Sequence, residues 1–287
     1  MKYAASSVLA MNMPHIVQAA TEENKSSEVK VRFLGTGAAD WNGKRANGEY
    51  RRFSSILIND HILIDLTSKS LDMLEGKKQP DVIFYTHSHF DHYHPESALK
   101  VGIKQVYVSN TWFDIAKADF REAAKKLGLP MPEITPVFLG QPVKVDNLNF
   151  MPLPANHITE KRFEPTQIYR VSNEKVRLLY ATDTGGLMTQ ALELADLMHK
   201  PLTGLIMEAT MGVKHHLDYR IFSHSSVEDV SRTVKVLIST KQYIPRAGQP
   251  VYVTHMAKGL HESQSEQEAL FPRPLTPAFD GLEVVFK

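Results

Sequence analysis

Thr86-His87-Ser88-His89-Phe90-Asp91-His92 follows directly on the apolar run Val82–Tyr85. Two histidines one residue apart turn to the same side only in extended or loop backbone, so the stretch reads as a buried strand opening into a loop. Asp91 and His92, next in line, supply ligands for a second ion beside the first. Imidazole with carboxylate suits Zn²⁺, Mn²⁺ or Fe²⁺. A polar turn that happens to be His-rich is the competing reading. Four ligand-type residues in six positions, with no Lys or Arg among them, favour the metal site.

Three more ligand types stand at the ends of apolar runs. His157 follows Phe150–Pro154, Asp183 ends Leu178–Thr182 and enters Thr184-Gly185-Gly186, and His255 ends Val251–Thr254. Each alone reads as a turn or cap residue. With His87, His89, Asp91 and His92 they make seven, enough for two ions if one carboxylate bridges.

The rest of the composition narrows what such a site can be. The 287 residues are 43% hydrophobic and 23% charged, enough for a sizeable core, which excludes a disordered, collagen-like or coiled-coil chain. Thirty-three basic against 32 acidic residues give a net charge of +1, so nucleic acid is a possible partner that charge does not indicate, and only a local basic patch remains open. The absence of cysteine excludes disulfides, thiol nucleophiles, Fe–S clusters and Cys-bound zinc, leaving metal binding to His, Asp and Glu. No run of roughly 18 apolar residues predicts a membrane span. Residues 1–28 are set apart as an N-terminal extension or a weak signal peptide: a mildly apolar Tyr3–Met13 is broken by Asn12, Pro14 and His15 before Val17-Gln18-Ala19-Ala20. The balance slightly favours a cytoplasmic chain, with export through residues 1–20 open and residues 29–287 forming one domain.

Short β-type runs dominate that domain. Val29–Leu34, Phe53–Asn59, His61–Asp65, Val82–Tyr85 and Gln105–Ser109 read as strands, as do Val143–Leu153, Thr166–Val171, Val176–Thr182, Leu202–Met207, Val251–Thr254 and Leu282–Phe286. A tight Asn59-Asp60 turn joins the second and third. Asp114–Leu127, Leu187–His199 and Ser226–Ser239 read as helices, and Phe271–Pro277 as a Pro-rich loop. Composition and periodicity support mixed α/β, two sheets covered by helices.

His87-x-His89-x-Asp91-His92, with His157, Asp183 and His255, resembles the ligand set of the metallo-β-lactamase-fold hydrolase superfamily. Phe33-Leu34-Gly35-Thr36-Gly37 resembles the opening of transfer-RNA 3′-processing endonucleases and cyclic phosphodiesterases. Tyr50-Arg51-Arg52, Pro152-Leu153-Pro154-Ala155-Asn156-His157, Thr182-Asp183-Thr184 and Phe279-Asp280-Gly281-Leu282-Glu283 look closer to the cyclic phosphodiesterase of the carbon–phosphorus lyase pathway. The resemblance implies a four-layer αβ/βα sandwich. It also implies one ion on His87, His89 and His157, a second on Asp91, His92 and His255, and Asp183 bridging. Two divalent ions, Zn or Mn, would hold a hydroxide as nucleophile, with Asp91 also orienting it. Those phosphodiesterases carry a cysteine-rich zinc loop after the Gly-Thr-Gly start. Ala38–Arg52 here has no Cys and must be held otherwise.

His224 resembles a non-ligand His that acts on the phosphate or leaving group, and Glu208 resembles the carboxylate that pairs with it in the transfer-RNA enzymes. The expectation is His224 as general acid, oriented by Glu208. Arg51 and Arg52 stand open between phosphate contact and structure, while His94, His215 and His216 read as surface. The implied activity is a phosphodiesterase on a small or cyclic phosphodiester, with no membrane partner and a homodimer compatible. A transfer-RNA 3′-processing endonuclease and a lactone or thiolester hydrolase are the alternatives. A non-enzymatic binding protein would lack ligands that this chain retains.

Overall fold

The computed structural model describes residues 27–159 and 164–287, so the expected N-terminal extension lies outside them except for its last two residues. In chain order the strands are β1 (Val29–Gly35), β2 (Ser55–Ile58), β3 (Ile62–Ile64), β4 (Val82–Phe84), β5 (Gln105–Ser109), β6 (Glu133–Val137), β7 (Val143–Val145), β8 (Leu148–Pro154), β9 (Gln167–Ser172), β10 (Arg177–Ala181), β11 (Gly204–Glu208), β12 (Val251–Thr254), β13 (Leu275–Pro277) and β14 (Glu283–Phe286). The helices are α1 (Pro95–Lys100), α2 (Phe113–Leu127), α3 (Thr189–Leu194), α4 (Val227–Ser239) and α5 (Gln264–Leu270). Among the described residues the strands form two seven-stranded mixed sheets, ordered β14-β1-β2-β3-β4-β5-β6 and β13-β12-β11-β10-β9-β8-β7.

Alternation along the strands explains the layers. Ile62 and Ile64 join the cluster between the sheets while Leu63 joins the one under the outer helix, and β2 and β4 divide the same way. Across the sandwich, Leu205 and Met207 face outward and Ile206 inward. A strand buried on both faces reads as an unbroken apolar run, which is what these sequences are. At the centre Phe84 stacks on Phe150 at 4.3 Å and on Tyr107 at 4.4 Å. Truncating such a side chain to Ala typically costs about 3–5 kcal/mol. The helices close the outer faces. α2 buries Ala116, Phe120 and Ala123; α4 buries Val230, Val234 and Leu237 and opens with a capping box of Ser226 and Asp229.

Most of the expected elements form, and the differences have local causes. Asn59 and Asp60 both take left-handed backbone (φ 47° and 63°), the conformation of a tight hairpin, and bring Ile58 opposite Ile62. Val143–Leu153 is two strands, because Asp146 turns left-handed (φ 51°) and folds β7 back on β8. The helix expected over Leu187–His199 covers only α3 and stops before Asp196, which is also left-handed (φ 53°). The Pro-rich loop contains β13, and β6, which carries Pro136, is a further strand. Both are edge strands, where a missing N–H is tolerated.

The cysteine-free loop Ala38–Arg52 is held by hydrogen bonds. Trp41, fully buried, donates from Nε1 to Met256 O at 2.7 Å, and Arg45 Nη2 donates to Lys258 O and His261 O at 2.9 and 2.8 Å. Asp40 accepts from the backbone of Lys258 and Gly259 at 2.7 and 2.8 Å. The Gly-Thr-Gly start needs its first glycine, since a Cβ at Gly35 would lie 1.9 Å from Phe53 O. Arg51 and Arg52 prove structural. Arg51 Nη1 donates to Thr36 Oγ1 and Ala278 O, both at 2.8 Å, while Arg52 pairs with Asp72 and Asp280.

Candidate metal centre

The topology delivers the ligand-type residues to one edge. β10, β11 and β12 run parallel, with Ala181 opposite Met207 and Glu208 opposite Thr254, so Asp183, Glu208 and His255 emerge together. β8 and β10 both pair antiparallel with β9, which sends His157 to the same edge. From the other sheet β4 ends at Phe84 and turns into the His87–His92 loop, where the Ser88 amide donates to Glu164 Oε1 at 2.7 Å. Asp183 and His255 both hold left-handed backbone, φ 50° and 54°. Non-glycine residues in that region cluster at functional sites.

All seven expected ligands meet. Donor atoms of His87, His89 and His157 lie within 4.8 Å of one another, and so do those of Asp91, His92 and His255. Asp183 spans the two sets: Oδ2 is 2.9 Å from His92 Nε2 and 3.3 Å from His255 Nε2, while Oδ1 is 3.8 Å from His157 Nε2. His89, Asp91, His157, His224, His255 and Thr210 line a cleft of about 690 Å³, and His87, His92 and Asp183 are buried behind them.

Hydrogen bonds behind the ligands fix the ring tautomers. His157 Nδ1 donates to Ser223 O at 3.1 Å, and His92 Nδ1 donates to Asp65 Oδ2 at 2.8 Å. Thr86 Oγ1 gives its proton to Asp65 and therefore accepts from His87 Nδ1 at 2.9 Å. Thr210 Oγ1 gives its own to Glu208 Oε2 at 2.6 Å and accepts from His255 Nδ1 at 2.8 Å. Each of the four rings then turns its Nε2 inward. The Nε2 atoms of His92 and His255 stand 3.4 Å apart, which is the place for a cation. The donor set therefore fits two divalent ions.

The electrostatics agree. Burial pushes His87 well below the usual imidazole range and lowers His89 and His157, so these rings stay neutral. For Asp183 burial acts the other way, but His255 and His92 outweigh it and hold the carboxyl well below its usual range. Asp91 is likewise held low against burial, chiefly by His92. His92 itself, opposed by burial but facing Asp183, Asp91 and Asp65, is raised well above its ordinary value. A cation in that place would take over the role of its proton.

His224 and Glu208 are brought together as expected, with Nδ1 3.1 Å from Oε1. Burial opposes protonation of His224, yet Glu208 and then Asp183 raise it to about 9. Glu208 Oε1 also accepts from the Thr184 amide at 2.7 Å and Oε2 from the Thr210 amide at 2.9 Å, so this carboxylate ties Asp183's turn to His224. His224 ring atoms also fall in two groups able to hold an ion, one with His157 and Asp183 and one with Glu208 and His255. His94 caps α1 through Ser97; His215 and His216 sit outside the cleft lining.

Asp65, Thr86 and Thr210 escaped the sequence reading. Asp65 follows β3, which pairs parallel with β4 at Ile64 and Phe84, so it ends beside the His-rich loop. A carboxylate closing a buried strand is the signal that identified Asp183, and Asp65 carries it too.

A family model described as beta-lactamase superfamily domain matches residues 65–245, a span that starts at Asp65 and holds every candidate ligand except His255. No curated protein sequence matches the chain. Among solved structures, a diphosphatase of the PhnP family superposes with a TM-score of 0.64 at 18% identity, covering 90% of this chain and 97% of that one. Human short-form tRNase Z gives 0.64 at 15%, covering 89% and 98%. Zn²⁺-bound PqqB from Methylobacterium extorquens gives 0.65 at 14%, covering 89% and 99%. At such identities the likeness is one of fold, and the fold is the four-layer αβ/βα sandwich.

Proposed function

This chain belongs to the beta-lactamase superfamily, whose members are metal-dependent hydrolases, and on that premise we propose that it is a dinuclear phosphodiesterase acting on a small or cyclic phosphodiester. His87, His89 and His157 would hold one divalent ion, Zn²⁺ or Mn²⁺, and Asp91, His92 and His255 the second, with Asp183 shared. When bound, two such ions lower the pKa of water and offset charge developing on the phosphoryl oxygens. Asp91 lines the cleft, where a carboxylate oxygen accepts a hydrogen bond from an attacking water. His224 gives its proton to the departing alkoxide. Glu208 keeps that proton on His224 and keeps the ring turned toward the site.

The observation that carries this reading is His224, paired with Glu208 at 3.1 Å and standing beside His157 of one ligand set and His255 of the other, because an alkoxide leaves a phosphodiester poorly without a proton. The same Glu208–His224 pair supports transfer-RNA 3′ processing as a second reading, while a net charge of +1 favours the smaller substrate. Metal-loaded protein assayed against bis-p-nitrophenyl phosphate, a 2′,3′-cyclic nucleotide, a precursor transfer RNA, a lactone and a thiolester separates them. Cleavage of the first two is expected. Cleavage confined to the precursor moves the assignment to transfer-RNA processing, and cleavage confined to the last two overturns phosphodiester chemistry.

A further inference from the structure

Among the described residues six large apolar side chains are exposed by 68% or more: Phe90, Ile158, Met198, Leu217, Tyr219 and Phe222. No other exceeds 52%. All but Met198 sit on three loops that carry the candidate ligands or His224. Phe90 lies between His89 and Asp91, Ile158 follows His157, and Leu217, Tyr219 and Phe222 precede His224. Single exposed apolar side chains are ordinary on a protein surface, but five on the loops that supply one cleft's lining, with Phe90 itself in that lining and Tyr219 and Phe222 on the turn that carries Arg220 into it, are not.

Ordered backbone presents them. Asp218 caps the 3₁₀ turn Tyr219–Phe222, and the His224 amide donates to Arg220 O at 2.7 Å. Ser223 O accepts from His157 Nδ1, and Phe90 stands edge-on to Phe53 at 5.8 Å. Within the same turn Arg220 is held by both Asp218 oxygens at 2.9 Å, lies 4.8 Å from the Tyr219 ring centroid and lines the cleft, so a cation and an apolar ring share this rim.

We propose that Phe90, Leu217, Tyr219 and Phe222 bind an apolar group, aryl or alkyl, attached to the anionic centre of the substrate. The charge pattern sets the chemistry of the occupant: an anion for Arg220 and the ligand cluster, and an apolar ester group for the surface beyond them. This substrate class rests on the phosphodiesterase reading of the same cleft. Burying a methylene from water strengthens binding by at most about fourfold, so a five-methylene extension is easily read even when half covered.

The test uses the metal-loaded full chain with p-nitrophenyl phosphodiesters whose second ester is methyl, hexyl or phenyl. Binding of methyl-, hexyl- and phenylphosphonate is followed beside it by calorimetry. The expected result is a kcat/KM at least about tenfold higher for hexyl or phenyl than for methyl. Phosphonate affinities should follow the same order, and both gradients should collapse in a Leu217→Ser/Phe222→Ser variant whose circular dichroism is unaltered. A gradient in hexyl alone identifies an alkyl substrate and one in phenyl alone an aryl one. Graded phosphonate binding without ester turnover keeps the apolar mouth and removes the phosphodiesterase reading. Turnover and binding that ignore the apolar group overturn the inference, as does a gradient that survives in the double variant. A flat ligand series with a dimer that the double variant dissolves assigns the surface to a second copy and overturns it too.

Discussion

Oδ2 of Asp65 lies 2.8 Å from Nδ1 of His92, and solvent reaches neither side chain. The Thr86 amide and hydroxyl fill the remaining positions on the carboxylate at 2.8 and 2.7 Å. Burial raises the Asp65 carboxyl, and His92 is the main group opposing it. The pair fixes which nitrogen His92 offers the site. Asp65→Asn should therefore weaken the ion on Asp91, His92 and His255 by about 10–100-fold, although no ligand is lost. Titration against a competing chelator should show this site weakened more than the one on His87, His89 and His157, which Asp65 reaches only through Thr86.

Asp183 touches both ligand sets through different oxygens, with His224 Nδ1 a further 3.7 Å from Oδ1. A neutral amide bridges two cations poorly. Asp183→Asn is expected to retain fewer than two ions per chain and to lose turnover, with the circular dichroism unaltered. Elemental mass spectrometry counts the ions.

His224→Ala should slow phosphodiester turnover by about 10²–10⁴-fold while two ions remain bound. Loss of metal in step with activity would make His224 a ligand. The pH profile separates Glu208 from a merely structural role. A general acid works only while protonated, and Glu208 raises His224 above its ordinary value against the pull of burial. Glu208→Gln removes the nearer negative charge, so the alkaline limb of kcat should move to lower pH by about 1–2 units.

His261 makes a separate stability prediction. Burial, eased by its bond to Ala209 O, pushes it down to about 3. Below an unfolded value of about 6.5 the unfolded chain takes up a proton that the folded chain refuses. Its contribution is thus intact above about 6.5 and falls away as pH drops toward 3, at up to about 1.4 kcal/mol per pH unit. In metal-free protein His261→Gln should flatten the decline of the urea midpoint between pH 7 and pH 5. An identical decline in both proteins would contradict it.

The candidate ligand set was legible because buried strands read as apolar runs and their ends carry the chemistry: His87, His157, Asp183 and His255 each follow such a run. Asp65 ends a strand in the same way, but its partner His92 is brought to it only by the pairing of β3 with β4. The brace of Thr36, Arg51 and Asp280 joins residues from opposite ends of the chain, so Arg51 stayed open between structure and phosphate. α1 and α5, at six and seven residues, are too short to show helical periodicity. β6 and β13 were hidden by prolines that only an edge position accommodates.

Chelated protein titrated with Zn²⁺ or Mn²⁺, with bis-p-nitrophenyl phosphate turnover recorded at each addition, tests the dinuclear hydrolase most directly. Activity that rises to a plateau at two equivalents per chain, and is absent throughout the same titration of His89→Ala, is the expected result. A plateau at one equivalent, or no turnover at any loading of folded protein, would contradict it.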